Sequence, residues 1–386
     1  MKLCLDFETS IYNKGSPFDP RNFAVSYSYL WENRVTLHSR YTDLDFNEIL
    51  NNAVSNCSLF INHNCKFDLH WLRNRGFRLP AGCRVWDTQL AEFILSGQTN
   101  SFVSLNDLAD LYGLPTKLDA VADYWEKGIS TEDIPPDVLE EYNNYDVVLT
   151  YQVYEKQLTD PRMTPELKKL ILLDGLDLLV LQEMEYNGLK YDCEASLAEA
   201  DKLKKELVGI EEELKKYAGD INFDSGDQLS CFIYGGSFEV KTATPEERVY
   251  KSGPNKGQTY TMNRWETRTI TLPGYFKPLP RTELKKSKPG AMFYSTGDDV
   301  LKQLKSRTKV QKRILELIAR RAYIVKLVGT YLEALPKLIE EMHWGEYLHP
   351  QYNQCQARTG RLSSSRPNAQ NFPEEVGKYM VSEYAD

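Results

Sequence analysis

Residues 2–9 read Lys-Leu-Cys-Leu-Asp-Phe-Glu-Thr. Leu3 and Leu5 alternate with Cys4, Asp6 and Glu8. That is the period-two pattern of a β-strand, so both carboxylates project from one face. Two covered carboxylates side by side are costly unless a cation neutralises them. An Asp-x-Glu pair on its own is equally satisfied by an exposed strand face, so its surroundings decide. Segments 22–31 (NFAVSYSYLW), 34–41 (RVTLHSRY) and 57–64 (CSLFINHN) read as further strands, with a polar link at Glu32-Asn33. Helical patterns fall at 43–54, 66–75, 87–96, 104–112 and 137–156. Strands first in meander, then alternating with helices, predict a mixed α/β sheet flanked by helices.

Two further acidic positions lie on this scaffold. Asp68 sits in "NHNCKFDLHWL", just after a strand, where a helix dipole alone would favour it. Tyr142 and Asp146, in "YNNYDVVLTYQVY", are four apart on a helix and share a face. Each has a plain structural explanation. Together they gather oxygen ligands at strand and helix ends, with no His or Cys cluster. That donor set suits Mg²⁺ or Mn²⁺ rather than zinc. Two such ions about 4 Å apart can hold the attacking and leaving oxygens of a phosphodiester.

The 386 residues call for two or three domains, and 41% hydrophobic with 26% charged residues is a soluble globular composition. No apolar run has membrane-spanning length, and Asp6 and Glu8 interrupt any signal-peptide pattern, so a cytoplasmic location is expected. The seven cysteines are scattered, without a Cys-x-x-Cys pair. This favours a reducing compartment and argues against zinc or disulfides. Net charge is −8, but it is unevenly spread. Residues 1–160 hold 13 Lys and Arg against 23 Asp and Glu, a balance of −10. Residues 251–350 hold 19 basic against 9 acidic side chains, a balance of +10. An acidic, metal-binding part joined to a phosphate-binding surface would carry such a distribution.

From residue 164 long helices take over. Thr164-Pro165 is a cap followed by proline, and Gly188 closes that helix. Asp192 caps the next, which ends at Gly219, and 308–343 is a third helical stretch with a break expected near Pro336. Between them, 236–295 is rich in Pro, Gly, Thr and Tyr and reads as an inserted β-hairpin.

"LDFET", "NHNCKFD" and "YNNYD" resemble the three exonuclease motifs of the DEDD superfamily in its tyrosine-containing branch. Their order and spacing are those of the proofreading 3′–5′ exonuclease domain of family-A (DNA polymerase I-type) DNA polymerases. "VWDTQLAEFIL" and "SLNDLADLYGL" resemble segments between the motifs. The resemblance implies an α/β RNase H-like exonuclease domain over 1–160 that releases 5′-mononucleotides from DNA ends. It implies that Asp6, Glu8 and Asp146 hold one Mg²⁺ or Mn²⁺ ion, and Asp6 with Asp68 a second. Tyr142 would orient the attacking water, and Asn64 would lie near the substrate.

The resemblance continues downstream. "LQEMEYNGLKYD", "INFDSGDQLSCFIYG" and "YIVKLVGTYLEALPKLI" resemble parts of the thumb. This implies a mainly helical thumb over 161–345, interrupted by the 236–295 insertion. "RTGRLSSSRPNAQNFP", 358–373, resembles the stretch that leads into the palm and grips primer–template DNA, so 346–386 would be the beginning of a palm. Arg358, Thr359, Arg361, Ser363, Ser364, Asn368, Gln370 and Asn371 would then contact DNA without reading its sequence, with Arg361 reaching the minor groove and the primer end. The polymerase's own catalytic strand, fingers helix and second acidic motif are not found, and Asp386 does not sit in such a motif. The expectation is the exonuclease and thumb subunit of a split polymerase of bacteriophage type, acting in the host cytoplasm. A second polypeptide would supply fingers and palm, and other replisome proteins would be further partners. A free-standing RNA-trimming exonuclease and a non-catalytic DNA-holding subunit are the alternatives.

Overall fold

The computed structural model describes residues 1–31, 34–39, 44–116, 121–280, 282–286 and 292–382. The polar link at Glu32-Asn33 and the terminal Asp386 lie outside them. The chain forms two compact units, Met1–Leu197 with Glu333–Asp386, and Ala198–Leu332.

The first unit is built on a five-stranded sheet of order β3-β2-β1-β4-β5. Its strands are β1 (Lys2–Thr9), β2 (Ala24–Trp31), β3 (Arg34–Ser39), β4 (Leu59–Asn62) and β5 (Arg84–Asp87). β1 runs antiparallel to β2, and β2 to β3, while β1, β4 and β5 are parallel. This is the RNase H-like meander-then-crossover arrangement expected from the sequence. Helices α1 (Leu44–Ser55), α2 (Cys65–Asn74), α3 (Thr88–Leu95), α4 (Leu105–Tyr112), α5 (Ala122–Glu126), α6 (Pro136–Leu158) and α7 (Pro165–Asn187) follow the strands in the same unit. Leu3, Leu5, Phe60, Ile61, Val85 and Trp86 are almost fully buried. A sheet covered on both faces needs apolar side chains on both, which explains why β1 carries Cys4 beside its acids.

α7 belongs to this unit. Ile171 and Leu178 share the core of the sheet. Gly175 lets the helix approach β5 so closely that a Cβ there would lie 2.4 Å from the carbonyl oxygen of Val85. Thr164 caps α7 through a hydrogen bond from the Leu167 N–H at 3.2 Å. After β6 (Leu189–Lys190), Asp192 accepts from the Ala195 N–H at 2.9 Å and starts α8 (Cys193–Ala218).

The second unit contains α9 (Gly226–Tyr234), then the predicted insertion hairpin, β7 (Gly236–Val249) paired antiparallel with β8 (Thr259–Leu272). A small pair, β9 (Leu284–Lys286) with β10 (Met292–Tyr294), precedes α10 (Asp298–Leu301) and α11 (Lys309–Leu327). A single π-helical turn, Val328–Leu332, ends α11. α12 (Ala334–Met342) begins just before Pro336. The break expected near Pro336 thus falls one turn earlier, because the proline ring collides with the carbonyl four residues before it, not with its own turn.

Back in the first unit, β11 (Tyr347–Leu348) pairs with β6, and β12 (Gln351–Asn353) with β13 (Ser363–Ser365). Among the described residues no helix is long and apolar enough to cross a membrane.

Candidate metal and nuclease site

The alternation of β1 places Asp6 and Glu8 on one face, opposite Ser28 and Ser26 of β2. α6 lies across this face. The Cys4 thiol donates to the Val147 carbonyl at 3.6 Å, and the Ser28 hydroxyl donates to Asn144 Oδ1 at 2.6 Å. These contacts bring Asp146 over the strand. One carboxylate oxygen each from Asp6, Glu8 and Asp146 lie within 4.8 Å of one another. Glu8 and Asp146 are buried, and Asp6 is partly so.

Asp68, on the first turns of α2, reaches the same strand. Its Oδ1 accepts the Phe7 N–H at 3.0 Å, between Asp6 and Glu8. Burial, followed by the negative charge of Asp6, pushes its carboxyl well above the usual carboxylate range. Three clustered acids with a fourth beside them, all oxygen donors, fit a hard divalent cation, whose charge would reverse that shift.

Asn64 is the residue before α2 and adopts a left-handed conformation, φ 57° and ψ 51°. Tyr142 lies one turn before Asp146, half-buried, with its ring edge-on to Trp125 at 5.9 Å between centroids.

Three contributors escaped the sequence reading. Asn143 donates to Asp6 Oδ2 at 2.6 Å and to the Asp6 carbonyl at 3.2 Å, fixing one carboxylate from α6. Its signal was available, since Asn143 is three residues from Asp146 and shares its face. Asp87 ends β5 and caps two helices. It accepts from the Cys65 N–H at 2.7 Å and the Asn64 N–H at 3.3 Å, and from the Gln89 and Leu90 N–H groups at 2.8 and 3.2 Å. It therefore sets where α2 begins, and with it Asp68.

The third is Glu185 of α7. It takes hydrogen bonds from Lys66, from His70 Nε2 at 2.9 Å and from the Tyr352 N–H at 2.6 Å. Lys66 also donates to the Tyr352 carbonyl. Burial works against the Glu185 charge, yet the bonds from His70 and Lys66 hold its carboxyl below the usual range. Lys66 and His70 flank Asp68 on α2, so this buried cluster ties the other face of that helix to β12.

β12 and β13 present the residue 354–362 loop. Arg358, Thr359 and Arg361 are exposed on it, as are Asn368, Gln370 and Asn371 beyond β13. Ser363 donates to Gln356. Ser364 is buried and bonds to Asn368 Oδ1 and the Pro367 carbonyl, both at 3.4 Å, so its hydroxyl braces the loop from inside.

A 3′–5′ exonuclease family model matches residues 21–160, and a DNA polymerase family A model matches residues 274–382. DNA polymerase I of Synechocystis sp. is 29% identical over 330 residues, covering 84% of this chain and 28% of that protein. The DNA polymerase of Bacillus phage SP01 is 27% identical over 340 residues, covering 84% of this chain and 35% of its own. The chain thus spans about a third of the length of these curated relatives. The solved POL domain of Pol1 from M. smegmatis, in complex with DNA primer-template and dNTP, superposes with a TM-score of 0.64 at 18% identity, covering 98% of this chain and 53% of that one. That likeness is one of fold. A 3′–5′ exonuclease family is thus matched within the first 160 residues and DNA polymerase family A over 274–382, and the architecture agrees with both.

Proposed function

We propose that the first unit hydrolyses DNA from its 3′ end, releasing 5′-mononucleotides. The observation that carries this is the convergence of Asp6, Glu8 and Asp146 oxygens within 4.8 Å, with Asp68 bonded to the same strand. Asp6, Glu8 and Asp146 would hold one divalent ion, and Asp6 with Asp68 the second. Bound there, Mg²⁺ or Mn²⁺ supplies hydroxide near neutral pH and stabilises charge on the departing 3′ oxygen. Tyr142 and Glu8 aim a water at the terminal phosphorus, the bond to the 3′ oxygen breaks, and a proton ends on that oxygen. Asn143 keeps Asp6 in its ligating rotamer, as a hydrogen-bonded support does for a metal ligand. Asp68 must lose its proton to ligate, so ion binding releases protons and weakens in acid.

The exposed Arg358, Thr359, Arg361, Asn368, Gln370 and Asn371 would grip the sugar–phosphate backbone, and Asn64 and Ser363 would lie beside it, with Ser364 supporting them. DNA synthesis would draw the fingers and the remaining palm from a second polypeptide. The assembly would act in the cytoplasm, that of a bacterial host if the chain is viral. Mixing the chain with a polypeptide carrying those motifs and measuring primer extension tests that part.

The hydrolytic part is tested by mononucleotide release from a 3′-labelled single strand in Mg²⁺, with a matched RNA strand alongside. Asp6→Ala with Glu8→Ala should abolish release while leaving the unfolding transition in place. Undiminished release by that variant, or faster hydrolysis of RNA than DNA, would contradict the assignment.

A further inference from the structure

The sequence scatters its seven cysteines, but the sheet brings two of them together. Cys57 lies just ahead of β4 and Cys83 just ahead of β5. These strands run parallel, with Leu59 against Arg84, and the Ser58 carbonyl accepts the Arg84 N–H at 3.1 Å. Residues 26 positions apart are thereby held side by side, and the two sulfurs lie 3.5 Å from each other. Both side chains are buried and both thiols are free.

The two thiols differ in character. A hydrogen bond from Cys57 holds the Cys83 thiol below its ordinary range, although burial opposes this. The same contact, followed by burial, pushes Cys57 up. Burial leads in pushing Cys4, Cys65, Cys193, Cys231 and Cys355 up as well. The thiolate is the nucleophile, so Cys83 is the sulfur that attacks first. It also lines a cleft of about 400 Å³ that residues of α2 and α7 border, among them Arg73 and Leu176. A small oxidant entering that cleft meets Cys83, whereas Cys57 is not among the residues lining it.

We propose that Cys57 and Cys83 form an oxidation site, closed to a disulfide by a peroxide. The Cys83 thiolate attacks the peroxide, an S–O bond forms, the O–O bond breaks and hydroxide leaves. Cys57 then attacks the resulting sulfenic acid. The S–S bond forms, the S–O bond breaks, and the Cys57 proton leaves with the hydroxyl as water. Two thiols and one peroxide thus give one disulfide and two waters. The sulfurs need to close by only about 1.5 Å to bond. In a reducing compartment the pair rests as thiols, so the closed form marks exposure to oxidant. The loop it closes carries β4 and α2, and with them Asn64, Lys66 and Asp68. The bond sits at the start of the two strands, while Asn62 pairs with Asp87 at their other end. It therefore staples this loop without entering the carboxylate site.

The test uses the full chain, freed of reductant, treated with hydrogen peroxide, alkylated and digested without reduction. Mass spectrometry should find the Cys57 and Cys83 peptides linked, and separate again after dithiothreitol. Dimedone, which traps sulfenic acid, should label Cys83 in the Cys57→Ser variant and leave Cys57 unlabelled in the Cys83→Ser variant. Closing a loop of this length should raise the folding constant roughly 10²–10³-fold, read as a higher urea midpoint that dithiothreitol reverses. The first readout needs no variant, and none of them uses nuclease activity, so a failure of the nuclease reading leaves this one to be decided separately. Both thiols still open to alkylation after peroxide, or both carried to sulfinic acid unlinked, overturns the proposal. Dimedone on Cys57 rather than Cys83 overturns the order of attack, and an unchanged midpoint in the linked form overturns the staple.

Discussion

Gly175→Ala and Gly209→Ala place two opposing effects in competition. In a helix interior alanine is favoured over glycine by up to about 1 kcal/mol. Both glycines lie inside helices, Gly175 in α7 and Gly209 in α8. At Gly209 a new Cβ meets nothing within 4 Å. The propensity gain should appear there unopposed, as a stabilisation of about 0.5–1 kcal/mol. At Gly175 the Cβ would sit 2.4 Å from the Val85 carbonyl oxygen and 3.2 Å from its carbon. That is roughly 1 Å inside the ~3.3 Å at which carbon meets a carbonyl oxygen. Neither partner is a flexible side chain, so α7 must move away from β5. Overpacking of this kind costs about 1–3 kcal/mol, which outweighs the propensity term. Urea unfolding with an unchanged slope should show Gly175→Ala shifted to lower midpoint and Gly209→Ala to higher. Equal stabilisation by both would refute the close packing of α7 on the exonuclease sheet, and with it the placement of Glu185.

Asn143→Ala should lower nuclease turnover by about 10–100-fold, the usual cost of losing a group that orients a metal ligand, with secondary structure retained by circular dichroism. Glu185→Met leaves the partly buried Lys66 and the buried His70 without their carboxylate and should cost about 3–5 kcal/mol; adding Lys66→Met should recover part of this, a coupling that a double-mutant cycle in urea measures. Asp19 accepts hydrogen bonds from Arg21 and Asn13, and the Arg21 bond leads in lowering its pKa to about 2. A depressed carboxyl stabilises the fold above its unfolded pKa and loses that contribution as pH falls through about 2. Because Arg21 is partly exposed, Asp19→Asn should cost only about 1–2 kcal/mol at neutral pH and flatten the acid limb between pH ~4 and ~2 of the stability curve.

What could be read from the sequence was local. The two-residue period of β1 put Asp6 and Glu8 on one face, and the four-residue step on α6 put Tyr142 beside Asp146. Thr164, Asp192, Gly188 and Gly219 announced helix ends through cap chemistry that needs no tertiary context. What was missed depends on partners far along the chain. Asp87 reads as an ordinary helix cap until its second helix, begun more than twenty residues earlier, is placed against it. Glu185 and Lys66 read as solvated charges on their own helices. Only the packing of α7 on α2 brings them together as a partly buried ion pair. The seating of α7 on the sheet was hidden for the same reason, since the decisive contact joins Gly175 to Val85. Which hydroxyls of the 358–373 loop turn inward, as that of Ser364 does, was equally hidden, because a polar loop says nothing about it.

The central claim is that these carboxylates gather divalent ions, and anomalous diffraction from crystals soaked in Mn²⁺ tests it without relying on turnover. The account predicts one peak bounded by Asp6, Glu8 and Asp146 and a second between Asp6 and Asp68, both lost in the Asp6→Ala, Glu8→Ala variant. A well-ordered site with no manganese among those four side chains would contradict it.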